Sequence, residues 1–359
     1  MWRKRIPLLF LSLLAIGLIA AACGDDDNGD SSGGKTLSDV QDRGTVVVGV
    51  KDSQPGFGNL EPDGTFSGQD VEFGHAVAAA IFGNANAIEF VVASAADRFE
   101  LLASEEIDVL IRTTTWTSSR DIDLNSQFVA TTFYDGQGII VRSDSPFRSI
   151  DELQGATVCV TGGTTTEINL ESVFASRGID HTTLTFAGDP EVLAAFVAGR
   201  CDAWTADKGN LAAQRASFPE AEGGPDAVRI LAETISKEPL GPVVRDGDTE
   251  WFDVIQWTVF GTMIAAELGV TSQNVTGYVE NPPSQAIANL LGASFDGAPV
   301  LAFGEGLGLS ATFMQDVIFQ VGNYDQIYSR TIAQIGLAQA GSLNALWTEG
   351  GLIYAPPIK

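Results

Sequence analysis

Short apolar runs alternate with longer mixed stretches along most of the chain, and their lengths separate strand from helix. TVVVGV (45–50), AIEFVVA (87–93) and IDVLI (107–111) are short and rich in branched residues, so they read as buried strands. Between them, QDVEFGHAVAAAIFG (69–83) reads as a helix stopped by glycine, and AADRFELLAS (95–104) as a helix capped by Ser94. Strand–helix–strand–helix–strand order predicts a mostly parallel sheet covered by helices on both faces.

The same grammar returns further along. LSDVQDRGTVVVGV is echoed by IDELQGATVCVTGG, and FELLASEEIDVLIRTT by VLAAFVAGRCDAWTAD. The repeat predicts two similar α/β lobes, with a cleft between the carboxyl ends of their strands, where open α/β sheets bind ligands. FVATTFYDGQGIIVRSDSP has strand character on either side of Tyr134-Asp135, and a second extended return lies near LAETISKEPLGPVVRDGD. Two crossover strands imply that residues 36–135 and 238–359 form lobe 1 and that residues 136–237 are an inserted lobe 2. The tail after residue 250 is mostly helical and is expected to pack back on lobe 1.

The first residues follow a different rule. WRKRIP is basic, LLFLSLLAIGLIA is apolar but short for a membrane span, and AAAC follows. Residues 1–22 therefore read as a signal peptide, with Cys23 lipidated at the cut; an ordinary signal peptide cleaved near the alanines is the alternative. Residues 23–35 form an acidic Gly/Ser tether. An exported body on a lipid anchor, facing periplasm or extracellular space, is the expectation. Without Arg3, Lys4 and Arg5, 17 basic residues face 46 acidic ones, and no basic cluster remains to follow a phosphate backbone. Nucleic acid is excluded on that ground.

Cys23 taken by the anchor leaves Cys159 and Cys201, both in apolar strand-like runs. In an oxidising compartment they read as a disulfide between neighbouring strands, with two buried thiols as the alternative. His75 and His181 lie near no cysteine at ligand spacing, so no metal site and no cofactor are expected.

Four features fall at carboxyl ends of expected strands. RTTTWTSSRD (112–121) offers Thr113, Thr115 and Arg120. TGGTTTEINL (161–170) runs through Gly163 into a helix start at Thr164 and Thr165, whose N–H groups suit an anion. DAWTADKG sets Asp207 just past a strand, and SQPGFG (53–58) is a glycine-rich turn bearing Phe57. An arginine fork for a carboxylate and an aspartate for an ammonium together describe a free α-amino acid. The plainer alternatives are threonines that only cap helices, an Arg120 paired on the surface with Asp121 or Asp123, and an Asp207 that caps the next helix.

Taken together, GVKDSQPGFGN, DVEFGHAVAAAIFG, DVLIRTTTWTSSRD, YDGQGIIVR, GATVCVTGGTTTEINL, GRCDAWTAD, ISKEPLGPVVR, WFDVIQW and LNALWTEGGLIYAPP carry a resemblance to a known family. The chain resembles the extracytoplasmic solute-binding proteins of polar amino-acid ABC transporters, most of all the general L-amino-acid-binding branch. The resemblance implies a type II two-lobed periplasmic-binding-protein fold with two crossover hinge strands. It implies that Arg120, with Thr115 and Thr113, takes the ligand α-carboxylate, that Gly163, Thr164 and Thr165 add donors to it, and that Asp207 takes the α-amino group. Relatives often carry an aromatic just before the position of Phe57, where this chain has Gln54 and Pro55; that departure agrees with broad specificity.

The function expected is capture of free L-amino acids by a monomer that delivers them to an ABC permease and its ATPase. A ligand-sensing receptor subunit is one alternative, and a dehydratase-like enzyme on the same fold another. Against an enzyme, the chain has no Gly-x-Ser-x-Gly elbow and neither histidine falls at a strand end.

Overall fold

The computed structural model describes residues 35–301 and 303–359, so the expected signal peptide and Cys23 lie outside the described residues. The described part opens on α1 (Thr36–Arg43) and β1 (Val46–Val50), followed by a small meander of β2 (Ser53–Gln54), β3 (Gly58–Leu60) and β4 (Phe66–Ser67). Then come α2 (Gln69–Phe82), β5 (Ile88–Val92), α3 (Arg98–Ala103), β6 (Val109–Leu110), α4 (Ser118–Asp123) and β7 (Ser126–Phe128). Past β8 (Phe133–Asp135) lie β9 (Gln137–Arg142), β10 (Thr157–Thr161), α5 (Thr165–Arg177), β11 (Thr182–Phe186), α6 (Asp189–Val197), β12 (Ala203–Asp207), α7 (Lys208–Ala216) and β13 (Val228–Ile230). β14 (Glu238–Leu240) and β15 (Val243–Arg245) return the chain, and α8 (Thr249–Glu267) opens a helical tail.

Two five-stranded sheets result, ordered β5-β1-β6-β15-β7 and β11-β10-β12-β9-β13. Their pairings correspond position by position. In each, three strands run parallel and two are joined through antiparallel pairs. The echo heard in the sequence is thus a duplicated sheet. β1 is apolar along its length because helices cover both faces, and every residue of VVVGV but Val47 is buried. α2 is apolar almost all round for a similar reason: it is sandwiched between its sheet and the tail helix Phe313–Gln320. It ends at Gly83, whose left-handed φ of 64° lets its N–H bond back to the Ala79 carbonyl.

The core follows the sheets. One apolar cluster joins β1, α2, α8 and the tail, and two others fill the faces of the second sheet. Cys159 on β10 and Cys201, just before β12, sit with Cα atoms 5.7 Å apart, a separation a disulfide spans.

The crossovers are β8 and β14, which pair antiparallel as a two-stranded ribbon between the sheets. Both of its edges are occupied. On β8, the Asn344 side chain accepts from the Tyr134 N–H at 2.6 Å and donates to the Tyr134 carbonyl at 3.1 Å. On β14, the Pro239 carbonyl accepts from Trp116 N–H at 2.8 Å. No described helix is long and apolar enough to cross a membrane.

Candidate functional site

The carboxyl ends of β1, β6, β10, β11 and β12 converge on one cavity between the sheets. The first sheet supplies its cations: Lys51 just past β1, Arg98 from α3, Arg112 just past β6, and Arg120 from α4. The second sheet supplies its carboxylates, Asp189 and Asp207, and a threonine wall of Thr161, Thr164 and Thr165.

The turn after β6 is held in an unusual shape. Thr113 has φ +43°, a region that a β-branched residue rarely enters. Its N–H donates to Asp70 Oδ2 at 2.7 Å, which fixes the turn and aims the hydroxyls that follow. Burial pushes the Asp70 carboxyl up to about 7, against that hydrogen bond and the nearby Arg112 and Lys51 charges. Thr113 Oγ1 lies 3.4 Å from Gln54 Oε1, and Thr115 Oγ1 meets Thr165 Oγ1 from the other sheet, also at 3.4 Å.

Arg120 is 9% exposed, so the surface-pair alternative does not hold. One guanidinium nitrogen donates to the Thr115 carbonyl at 2.9 Å and the group lies over the Phe99 ring. Among the described residues no carboxylate oxygen lies within 4.0 Å of it. Burial lowers its pKa, partly offset by Glu238 and Asp207.

Asp207 occupies the N-cap position of α7 but makes no capping bond. Asp135 does that work instead, accepting from Gly209 N–H at 2.8 Å. Gly209 is required there, since a Cβ would fall 2.6 Å from Asp135 Oδ2 and 2.8 Å from Phe57 Cζ. Asp207 Oδ1 is shut away from solvent with no hydrogen-bond partner among the described residues. Burial, then the charges of Asp135 and Glu238, push its carboxyl well above the usual range. Asp135 itself is pushed up to about 7, chiefly by burial. Glu238 differs, being saturated by Thr165 Oγ1 at 2.8 Å, Asn169 Nδ2 at 2.9 Å and the Ser236 hydroxyl. A carboxylate left alone in such company calls for a cation.

The other expected residues divide. Thr165 faces the cavity at the first turn of α5, a 13-residue helix. Thr164 also lines it, but its hydroxyl is already engaged as the cap, accepting Glu167 N–H at 3.2 Å and donating to the Thr161 carbonyl at 2.7 Å. Gly163 is not in the cavity wall; its carbonyl accepts from Arg98 Nη2 at 3.3 Å. Phe57 is not in the wall either. It is 1% exposed and packs edge-on against Phe133 beneath the crossover ribbon, with ring centroids 5.0 Å apart.

The sequence reading gave no place in the site to Lys51, Gln54, Arg98, Arg112, Asp189 and Asn210, although all six line the cavity. Lys51 Nζ reaches across to Asp189 Oδ2 at 2.5 Å and to Gln54 Oε1 at 3.0 Å. Asp189 also accepts from Thr161 Oγ1 at 3.0 Å and Asn210 Nδ2 at 2.9 Å. The available signal was position, because Lys51, Arg112 and Asp189 all sit just past strand ends. No described group of histidines, cysteines and carboxylates is arranged to hold a metal.

Residues 46–295 match the family of bacterial extracellular solute-binding proteins, family 3. The chain belongs to this family. This solute-binding protein is 42% identical over 349 residues to the general L-amino acid-binding periplasmic protein AapJ of Rhizobium johnstonii, covering 97% of this chain and 96% of that one. It is 40% identical over 325 residues to the glutamate/glutamine/aspartate/asparagine-binding protein BztA of Rhodobacter capsulatus, covering 90% and 93%. A solved ABC-transporter periplasmic binding protein from Brucella ovis, with glutathione bound, aligns with TM-score 0.85 and 39% identity over 90% of this chain and 99% of that one. The solute-binding protein therefore has the type II two-lobed fold, and its family consists of carriers for transport.

Proposed function

We propose that this solute-binding protein captures free L-amino acids of several kinds between its two sheets and delivers them to an ABC permease driven by its ATPase. Residues 36–135 and 238–359 act as lobe 1 and residues 136–237 as lobe 2, closing by a hinge at the crossover ribbon. Arg120, with Thr115 and Thr113, receives the α-carboxylate, the main-chain N–H of Thr165 at the α5 N-terminus adds a donor, and Asp207 receives the ammonium. Thr164 and Gly163 shape that turn, and Phe57 supports the hinge from below. The protein works as a monomer without cofactor, carries out no chemical step, and is exported and anchored through a lipid on Cys23. A Cys159–Cys201 disulfide ties β10 to the start of β12.

One observation carries the reading. A buried arginine fork with no carboxylate paired to it within 4.0 Å and a buried carboxylate oxygen with no donor, both among the described residues, line the same cavity. The two charges of an α-amino acid match both groups at once, and contact with both lobes favours the closed state. A second ligand fits the same clamp: the Brucella relative holds glutathione, whose γ-glutamyl residue keeps a free α-amino and α-carboxyl group.

Thermal shift tests the proposal. Several L-amino acids and glutathione should raise the melting temperature, since a ligand that binds only the folded state stabilises it. Amino-acid amides, lacking the α-carboxylate, should not. Silence from every amino acid, or equal shifts from acids and amides, would overturn the carboxylate clamp.

A further inference from the structure

The cavity holds more positive charge than an amino-acid head group can use. Lys51 is matched by Asp189, and the proposed head group joins Arg120 to Asp207. Arg98 and Arg112 remain. They are 3% and 7% exposed, yet among the described residues neither has a carboxylate oxygen within 4.0 Å. Their hydrogen bonds are few. Arg112 Nε donates to the Ala93 carbonyl at 2.6 Å, Arg98 Nη2 donates to the Gly163 carbonyl at 3.3 Å, and Arg98 Nε is buried with no partner.

The nearby acids relieve them only in part, because none pairs with either guanidinium group. Asp52 and Asp97 are exposed to solvent, Asp70 is occupied by the Thr113 N–H, and Asp189 is taken by Lys51, Asn210 and Thr161. Burial lowers the pKa of both guanidinium groups; the charges of Arg112 and Arg120 lower that of Arg98 further, while at Arg112 the charges of Asp189 and Asp70 offset part of the effect. Two desolvated cations side by side are costly unless an anion joins them. That this happens in a chain of formal charge −26 makes a chance accumulation of arginine a poor explanation.

We infer that Arg98 and Arg112 form a second anion subsite in the same cavity, which receives a carboxylate on the ligand's side chain. The inference rests on the amino-acid reading above and narrows it. The favoured ligands carry an α-amino acid head and a second carboxylate, whether as a free acidic amino acid or as the head of a γ-glutamyl peptide. Neutral amino acids bind less well, because they leave the two guanidinium groups unpaired. Cationic amino acids bind worst, since they add a charge of the same sign.

Calorimetric titration of the purified protein at neutral pH with glutamate, glutamine, alanine, arginine and γ-glutamylglycine tests this. Glutamate should bind about tenfold or more tightly than glutamine, which has nearly the same shape, because hydrogen bonds between ionised partners are roughly twice as strong. Arginine should be the weakest. In Arg112→Gln and in Arg98→Gln the glutamate-to-glutamine ratio should fall toward one, while Arg112→Lys should keep it above one. Tighter binding of γ-glutamylglycine than of glutamate would identify the peptide as the source of the second carboxylate. Equal affinity for glutamate and glutamine in the unaltered protein overturns the subsite while leaving the amino-acid receptor intact. So does a ratio unchanged in both glutamine variants. If alanine, glutamine and glutamate all fail to bind, the receptor reading itself is wrong.

Discussion

The two sheets have one strand order and opposite chemistry. At corresponding strand ends the first presents lysine and arginine, while the second presents aspartate and threonine. Topology is therefore silent about the ligand, and the side chains just beyond the strands decide it. The difference also explains why the halves touch directly. Lys51 and Asp189, 138 residues apart in sequence, need no ligand to pair across the cleft. The proposed zwitterionic ligand would repeat that attraction with its own two charges.

The largest effect should come from removing the first sheet's clamp. Arg120→Ala is expected to weaken every amino acid by about 4 to 5 kcal/mol, near the upper end for truncating one partner of a buried charge pair. Unchanged calorimetric affinities in that variant would break the comparison. Next comes a feature that the first sheet lacks. Replacing Cys159 and Cys201 by alanine should lower stability in urea by about 4 kcal/mol in the chain-entropy account of loop closure. Hydrogen exchange should place the loss in the second sheet, and an unmoved unfolding midpoint would mean that no bond ties the two cysteines.

A smaller effect is expected on the acidic side. Asp207→Asn should cost about 2 kcal/mol in ligand affinity. It should also flatten a pH dependence whose sign follows from the hinge. Asp135 is pushed up to about 7 and Asp207 well upward, so the empty protein carries protons there that an ammonium must displace. Affinity in the unaltered protein should rise with pH while these carboxyls still hold protons, through about 7 for Asp135, by at most about 1.4 kcal/mol per pH unit for each proton displaced. Titrations across that window would show the slope, and a flat profile would remove Asp135 and Asp207 from the binding event.

Much of this was legible in advance, for physical reasons. β1 and α2 announce themselves because burial on both faces leaves an uninterrupted apolar run. The crossovers were visible at Tyr134-Asp135 because a strand that changes sheets stays extended on both sides of the change. Boundaries were less sharp: the helix drawn from residue 95 begins at Arg98, since the Ser94 hydroxyl accepts the N–H groups of Ala96 and Asp97 in a turn before it. In the site, Asp207 could be found by its place at a strand end, and Arg120 by the hydroxyl-rich stretch that leads from β6 to it. Lys51 and Asp189 obey the same rule, but neither signals alone, because each finds its partner only once the two sheets face each other. Phe57 misled for the opposite reason. An aromatic in a glycine-rich turn looks displayed, and only the packing of Phe133 and Gly209 shows it to be enclosed.

Asn344 gives the hinge an unexpected correspondent. Its one amide occupies both main-chain groups of Tyr134, although 210 residues separate the two. The ribbon that joins the sheets is thus a three-stranded affair whose third strand is a single side chain sent from the far end of the polypeptide. Any bending that displaces Tyr134 must either sever that amide or haul the closing segment along with it. The segment is a strain gauge: Trp347, three residues on and half in water, is placed to report the movement by its fluorescence. It is also a tuning screw, through which the ease of opening can be altered without touching an atom that meets the ligand.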